Sequence, residues 1–202
     1  MKRISVVLGL CALLLPMAAW ADGINLTNQF GTVNVTNAGV ISKGAELMSY
    51  NGIVAPPGGS LGSVSFSTGA LVSGNLWNGG TFSSVGSSFL VTGVGGNGQP
   101  KGIIFSGTFV GPITWTFVSQ TGKYTYNFML SGTINGTLNG GRNVTGTTTQ
   151  YITLSRNQWN QDHTGWVHLG KTQLAVPEPG TLGLLGTGLI AIAGTVRRKL
   201  FG

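Results

Sequence analysis

Few side chains in this sequence are suited to acid–base or nucleophilic catalysis. Only 4 of its 202 residues are Asp or Glu, namely Asp22, Glu46, Asp162 and Glu178. A hydrolase that uses two carboxylates needs them within several ångströms of each other, and Glu46 with Asp162 is the one long-range pair available. Serines occur throughout the chain, so their presence alone does not indicate a catalytic triad. We therefore predict a protein that is not an enzyme and uses no cofactor.

A metal site would have to be built from Asp162, His163 and His168. The two histidines are five positions apart, so on one strand their side chains would point to opposite faces. The only cysteine, Cys11, lies in the N-terminal leader described below, which leaves the rest of the chain without a thiolate ligand. We predict ordinary surface histidines and no metal site.

Three tryptophans, Trp77, Trp159 and Trp166, are candidate contacts for a carbohydrate. Aromatic rings stack on the C–H faces of sugars, and the Asn, Gln and Thr side chains nearby can bond sugar hydroxyls. The alternative is that Trp115 and at least one of these three pack in the core, because buried aromatic rings remove a large apolar area from water. Extracellular polysaccharide is therefore a predicted partner, with core packing as the alternative.

Four Asn-x-Thr sequons are candidate glycosylation sites, at Asn25, Asn34, Asn135 and Asn143. In a chain this rich in Asn and Thr, some such triplets arise by chance. An intact mass without hexose-sized additions on the exported protein would exclude glycosylation.

The net charge of +7 does not indicate a nucleic-acid partner. Five of the 11 Lys and Arg residues lie in the two terminal segments, and residues 22–176 hold six basic against three acidic residues, a net of +3. Nucleic-acid binding requires clustered cations. The six basic residues are instead scattered singly, at Lys43, Lys101, Lys123, Arg142, Arg156 and Lys171.

The N-terminal segment, residues 1–21, has the three parts of a secretory signal peptide. Two basic residues, Lys2 and Arg3, precede an apolar stretch over residues 4–15. Ala19 and Ala21 then supply the small residues of a cleavage site. Removal of this leader would export a chain that begins at Asp22 and contains no cysteine.

The C-terminal segment, residues 176–202, has the order of a stop-transfer sequence. Val176 is followed by Pro177-Glu178-Pro179, which should stay extended because proline has a fixed φ and lacks an N–H. As a helix, residues 181–196 would span about 24 Å, somewhat less than a hydrocarbon core of about 30 Å. Arg197, Arg198 and Lys199 then favour a cytoplasmic C-terminus. The segment thus predicts anchorage in the inner membrane.

This tail closely resembles the PEP-CTERM sorting signal, which combines a Pro-Glu-Pro motif, a Gly/Leu-rich helix and a basic end in this order. The resemblance covers residues 176–202, with two small departures: Gly180 replaces a frequent serine, and Leu200-Phe201-Gly202 extends past the basic cluster. It implies processing near residues 176–179 by an exosortase, a membrane-embedded cysteine transpeptidase-like enzyme. The alternative is a simple tail anchor that is never cut.

Residues 22–175 predict an antiparallel all-β domain. Thr, Val and aromatic residues favour strands, and the abundant Gly and Asn supply turns. From Tyr124 to Asn139 large apolar residues alternate with small polar ones, which gives one dry and one wet face, with a bend or bulge expected at Gly132 or Gly136. We predict a β-sandwich or partly open barrel of roughly eight to eleven strands, with a β-solenoid as the alternative.

Turn and loop signals divide this domain. Gly31, residues 37–39, Asn51-Gly52 and residues 139–141 predict turns, and residues 95–100 predict a long loop. Residues 157–174 are expected to form a loop and a last strand that closes the sheet.

Together these features predict a non-enzymatic exported protein of a Gram-negative-type bacterium. An exosortase would sort it to the cell surface or the extracellular polymer matrix, where it would have a structural or adhesive role in biofilm. The first alternative is a carbohydrate-binding module that retains matrix polysaccharide. The second is a tail-anchored periplasmic β protein.

Overall fold

The alternation of apolar and polar side chains gives eleven β-strands. The computed structural model describes residues 23–96, 98–155 and 164–176, which form the compact unit Gly23–Val176. None of the described residues forms a helix long and apolar enough to cross a membrane, and the predicted helix over residues 181–196 lies outside them. The strands are β1 (Gly23–Thr36), β2 (Gly39–Tyr50), β3 (Ile53–Val54), β4 (Gly62–Ser67), β5 (Leu71–Asn75), β6 (Gly79–Phe82), β7 (Ser88–Gly96), β8 (Gln99–Thr121), β9 (Thr125–Leu138), β10 (Asn143–Ser155) and β11 (Thr164–Ala175).

Eight strands close into an antiparallel barrel in the order β8-β7-β4-β2-β1-β11-β10-β9, and β9 pairs back onto β8. Closure depends on the length of β8, which has 23 residues. Its first half pairs with β7, its second half pairs with the β5–β6 hairpin through β6, and its other edge pairs with β9. The all-β antiparallel prediction is confirmed. The barrel is closed rather than partly open, and the solenoid alternative is wrong.

Aromatic side chains supply much of the barrel's buried apolar surface. In β9, Phe128, Leu130 and Ile134 are buried, as the alternation predicts. Trp115 of β8 stacks on Phe128 with ring centroids 4.6 Å apart. The Trp115 indole N–H donates to the carbonyl oxygen of Leu76 at 2.8 Å. A second aromatic group is formed by Phe66, Phe89, Phe105 and Phe109.

One part of the interior is polar and links β1, β10 and β11. The Asn28 amide donates to Gln150 Oε1 at 3.0 Å, and the Gln150 amide donates to Thr148 Oγ1 at 2.8 Å. The hydroxyl oxygens of Thr148 and Thr172 are 2.9 Å apart. Gly170 leaves room for these groups, since a Cβ there would lie 2.1 Å from Asn28 Oδ1. A buried polar network stabilises a fold only when its members are satisfied, and these four side chains satisfy one another.

The irregularity predicted within β9 lies in β8 instead. β9 keeps an unbroken register with β10 from Thr125 to Thr137, so it has no bulge at Gly132 or Gly136. Gly136 permits close approach, because a Cβ there would lie 2.3 Å from the Ser106 carbonyl oxygen. The register shifts between β8 and β9 fall in β8, between Val110 and Thr114 and between Phe117 and Ser119.

One predicted turn and one predicted long loop are wrong. Gly31 is not a turn but part of a bulge within the continuous strand β1, where Phe30 and Gly31 both have positive φ. Residues 95–100 do not form a long loop, because β7 extends to Gly96 and β8 begins at Gln99. Gly95, Gly96 and Gly98 have positive φ, which allows the chain to reverse tightly there.

The chain enters and leaves the barrel at the same end. β11 lies between β1 and β10, and Ala175 pairs with both Gly23 and Thr145. The next residue, Val176, is 7% exposed and belongs to the hydrophobic core. The predicted last strand therefore does close the sheet, and the barrel extends to Val176.

Candidate functional site

A depression of about 370 Å³ lies on the outer face of β9, β10 and β11, toward the barrel end opposite to the chain ends. Thr153 and Trp166 are register partners across β10 and β11. Strand alternation places Tyr151 on the same outward face as Thr153. The depression is lined by Thr121, Thr125, Asn127, Tyr151, Ile152, Thr153, Trp166 and His168. It combines aromatic and hydroxyl groups, which are the groups that sugars contact.

Hydrogen bonds hold the polar side of this depression in place. Thr153 Oγ1 donates to Asn127 Oδ1 at 2.9 Å. The Asn127 amide nitrogen donates to Thr121 Oγ1 at 3.1 Å and to Ser119 Oγ at 3.2 Å. This chain of contacts crosses β8, β9 and β10, so the polar groups have defined positions before any ligand arrives.

Its aromatic side consists of Trp166 and Tyr151, which are 38% and 36% exposed. Both belong to strands whose backbones are paired on both edges. Tyr151 is a residue that the sequence analysis missed. Its position in the sequence could have indicated an exposed ring, because it continues the outward series Thr145, Thr147, Thr149 on the polar face of β10.

The other predicted sugar-contact tryptophans are not part of this depression. Trp77 lies on the turn between β5 and β6 and makes an edge contact with Tyr126, with ring centroids 5.6 Å apart. Trp159 lies outside the described residues. Trp115 packs in the core, as the alternative interpretation expected. Among the described residues, Trp166 is therefore the one of the three candidates that lines the depression.

The residues considered for catalysis or metal binding are only partly described. Glu46 is exposed on β2, and His168 lines the depression on β11, whereas Asp162 and His163 lie outside the described residues. Among the described residues there is no group of three His, Cys, Asp or Glu side chains close enough to hold a metal ion.

All four sequon asparagines are exposed on the outside of the barrel. Asn25 and Asn34 lie on β1, Asn135 lies on β9 and Asn143 lies on β10. Two of the sequons face each other, because Asn135 pairs with Thr145 and Asn143 pairs with Thr137. Their accessibility is compatible with glycosylation, which stays a prediction.

A second depression, of about 290 Å³, lies on the outer face of the same strands toward the chain ends. It is lined by residues of β1, β10 and β11, and two of its register pairs are Thr149 with Lys171 and Thr147 with Gln173. The two depressions follow one another along β10, since Thr147, Thr149, Tyr151 and Thr153 share its outward face.

Most of the predicted processing-site residues precede Gly23 or follow Val176 in the sequence. Val176 is the one sorting-site residue that the structure describes, and it is buried. Pro177, Glu178 and Pro179, the basic residues Arg197, Arg198 and Lys199, and the leader residues Ala19 and Ala21 lie outside the described residues.

Comparison with protein families supplies one match. A family model described as the PEP-CTERM protein-sorting motif matches residues 175–199. This match begins at the last residue of β11 and includes the buried Val176. No curated protein and no solved structure matches the chain.

Proposed function

From the premise that this chain is a PEP-CTERM-motif protein, exported and sorted by an exosortase to the cell envelope, we propose that its barrel is a non-enzymatic surface or matrix protein. In this role the barrel is the delivered part of the chain. The tail, residues 177–202, holds it at the inner membrane through its apolar segment until the exosortase acts. The delivered barrel then has a structural or adhesive role in the extracellular polymer of a biofilm.

The observation that carries this proposal is the direct junction between barrel and sorting motif. The matched motif begins at Ala175, which is still paired with Gly23 and Thr145, and Val176 is buried in the core. A processing enzyme needs an extended, accessible backbone around the bond that it cuts. Because the backbone is paired through Ala175 and Val176 is buried, we place the cut after Val176, where it would release a complete barrel.

We predict that the processed protein ends at Val176 or later, and never earlier. Ending the chain before Val176 would expose core surface and remove backbone pairing from β11. The measurement is the C-terminal mass of the protein recovered from its host, with and without the exosortase gene. The strain without the enzyme should retain the intact end at Gly202.

Two outcomes would contradict this proposal. A processed form that ends within β11, for example at Gln173, would show that the barrel does not set the limit of cleavage. An intact C-terminus in both strains would instead indicate a tail-anchored periplasmic β protein, the alternative without processing.

A second candidate function is carbohydrate binding, which the depression at Trp166 favours. Two partly exposed aromatic rings lie beside Asn127 and Thr153, whose hydrogen bonds position them. Ligand sites commonly combine apolar surface with a few positioned polar groups. The barrel would then retain matrix polysaccharide rather than act only as a scaffold.

If this candidate is correct, Trp166→Ala should weaken binding of matrix polysaccharide about tenfold or more, because truncated tryptophans dominate many binding interfaces. Isothermal titration of the exported protein with the purified polymer would measure the change. Trp77→Phe is the control, since it keeps a ring against Tyr126 outside the depression. Equal affinities for wild type and Trp166→Ala would exclude this depression as the sugar site.

A further inference from the structure

The two outer depressions follow one another along β10 and β11, and we call the strip of outer surface that contains both the β10–β11 groove. Its outward residues on β10 run from Thr147 to Thr153. At about 3.3 Å per residue this path is about 20 Å long. The shallow shape and the length suit an extended polymer that lies along these strands better than a small ligand enclosed in a cavity.

One charged side chain lies in this groove among the residues that the structure describes. Lys171 lines the depression near the chain ends and is the one described Lys, Arg, Asp or Glu that lines either depression. Its register partners, Thr149 on β10 and Thr27 on β1, are uncharged. Lys171 thus presents an ammonium group to the groove without a neighbouring carboxylate on the strands that flank it.

The charge of the surrounding surface has the same sign. Among the described residues, Glu46 is the one acidic side chain, against five basic ones, and it lies on β2, two strands from β11. An anionic polymer would therefore meet little repulsion on the described surface. A neutral polymer could accept hydrogen bonds from the Lys171 ammonium group but would gain no charge pairing.

We infer that the β10–β11 groove binds an extended acidic polysaccharide that carries carboxylates. Sugar rings contact Trp166 and Tyr151 at one end, and a carboxylate of a residue further along the polymer pairs with Lys171. This inference rests on the second candidate function and adds the chemical class of the ligand and its direction across the barrel.

The test compares two polymers that differ in charge, because each carboxylate of the first is a methyl ester in the second. Oligomers of polygalacturonate and the same oligomers after methyl esterification are titrated into the exported protein at one fixed ionic strength. The variant Lys171→Gln removes the charge in the groove. The matched control is Lys101→Gln, which removes an exposed charge from β8 on another strand pair.

The acidic oligomer should bind about three- to fivefold more tightly than its ester, which is the upper part of the range of an exposed ion pair. Lys171→Gln should abolish that difference and leave the affinity for the ester unchanged, whereas Lys101→Gln should change neither affinity. Unaltered thermal unfolding of both variants would show that the fold is retained.

The contradicting outcomes distinguish a failure of this inference from a failure of the carbohydrate-binding function on which it rests. If the acidic oligomer and its ester bind equally tightly and Trp166→Ala weakens both, the ligand is not specifically acidic, but carbohydrate binding in the depression is still supported. Equal weakening by Lys171→Gln and Lys101→Gln would overturn the placement in the groove in favour of diffuse electrostatic attraction. Binding of neither oligomer nor the purified matrix polymer would overturn both.

Discussion

Replacement of Trp115 by alanine should lower the free energy of unfolding by about 3–5 kcal/mol, the range found when large buried aromatic side chains are truncated. Trp115 is 1% exposed, stacks on Phe128 and meets the edge of Phe82. The substitution removes these contacts and leaves the Leu76 carbonyl without its indole donor. The hairpin that carries Leu76 pairs with β8 only through β6, so this bond also helps to hold the hairpin on the barrel.

Urea unfolding followed by far-ultraviolet circular dichroism measures this change without relying on tryptophan fluorescence. Trp115→Phe is the graded variant, because it keeps a ring on Phe128 and loses the hydrogen bond, so its loss should be smaller. Trp166→Ala is the matched surface control, since that ring lies on the outside of the barrel. A loss for Trp115→Ala no greater than that for Trp166→Ala would contradict the core position of Trp115.

Gln150→Met should lower the free energy of unfolding by at least about 2 kcal/mol, because a buried polar group without a partner costs about 1–3 kcal/mol. Gln150 is completely buried, and its amide both accepts from and donates to the amide of Asn28. Methionine has nearly the shape of glutamine, so little of the loss comes from a cavity. The cost arises because the Asn28 amide stays buried without its partner.

The double variant Asn28→Leu/Gln150→Met tests this explanation. When both partners become apolar groups of similar shape, no amide is left unsatisfied, and the change can be nearly neutral. The double variant should therefore be more stable than either single variant, which a double-mutant cycle detects as coupling. Losses that simply add would show that the two amides do not depend on each other.

Sequence was sufficient for those features that depend on neighbouring residues. The sorting motif is contiguous, and its order of Pro-Glu-Pro, apolar segment and basic end is legible without a structure; the family match over residues 175–199 confirms it. Strand formation in β9 is also local, because a period of two places Phe128, Leu130 and Ile134 on one face whatever the strand pairs with. The all-β class follows from such local patterns.

Other features required the tertiary structure, because they depend on which distant strands become neighbours. Asn28 and Gln150 are 122 positions apart, and only the placement of β11 between β1 and β10 brings their amides together around Gly170. Closure of the barrel similarly depends on β8 pairing with β9 and with two different strands on its other edge.

The candidate site also depends on the tertiary structure. Sequence could suggest that Trp77, Trp159 and Trp166 contact sugars, but it could not tell a packed ring from an accessible one. Strand register decided that Trp166 lies across from Thr153 on the outside of the barrel, whereas Trp77 contacts Tyr126. The proposed limit on processing also rests on packing, since burial of Val176 depends on the whole barrel and not on the residues of the motif. Local chemistry thus identified how the chain is sorted, and long-range strand pairing decided which of its side chains are available to bind a ligand.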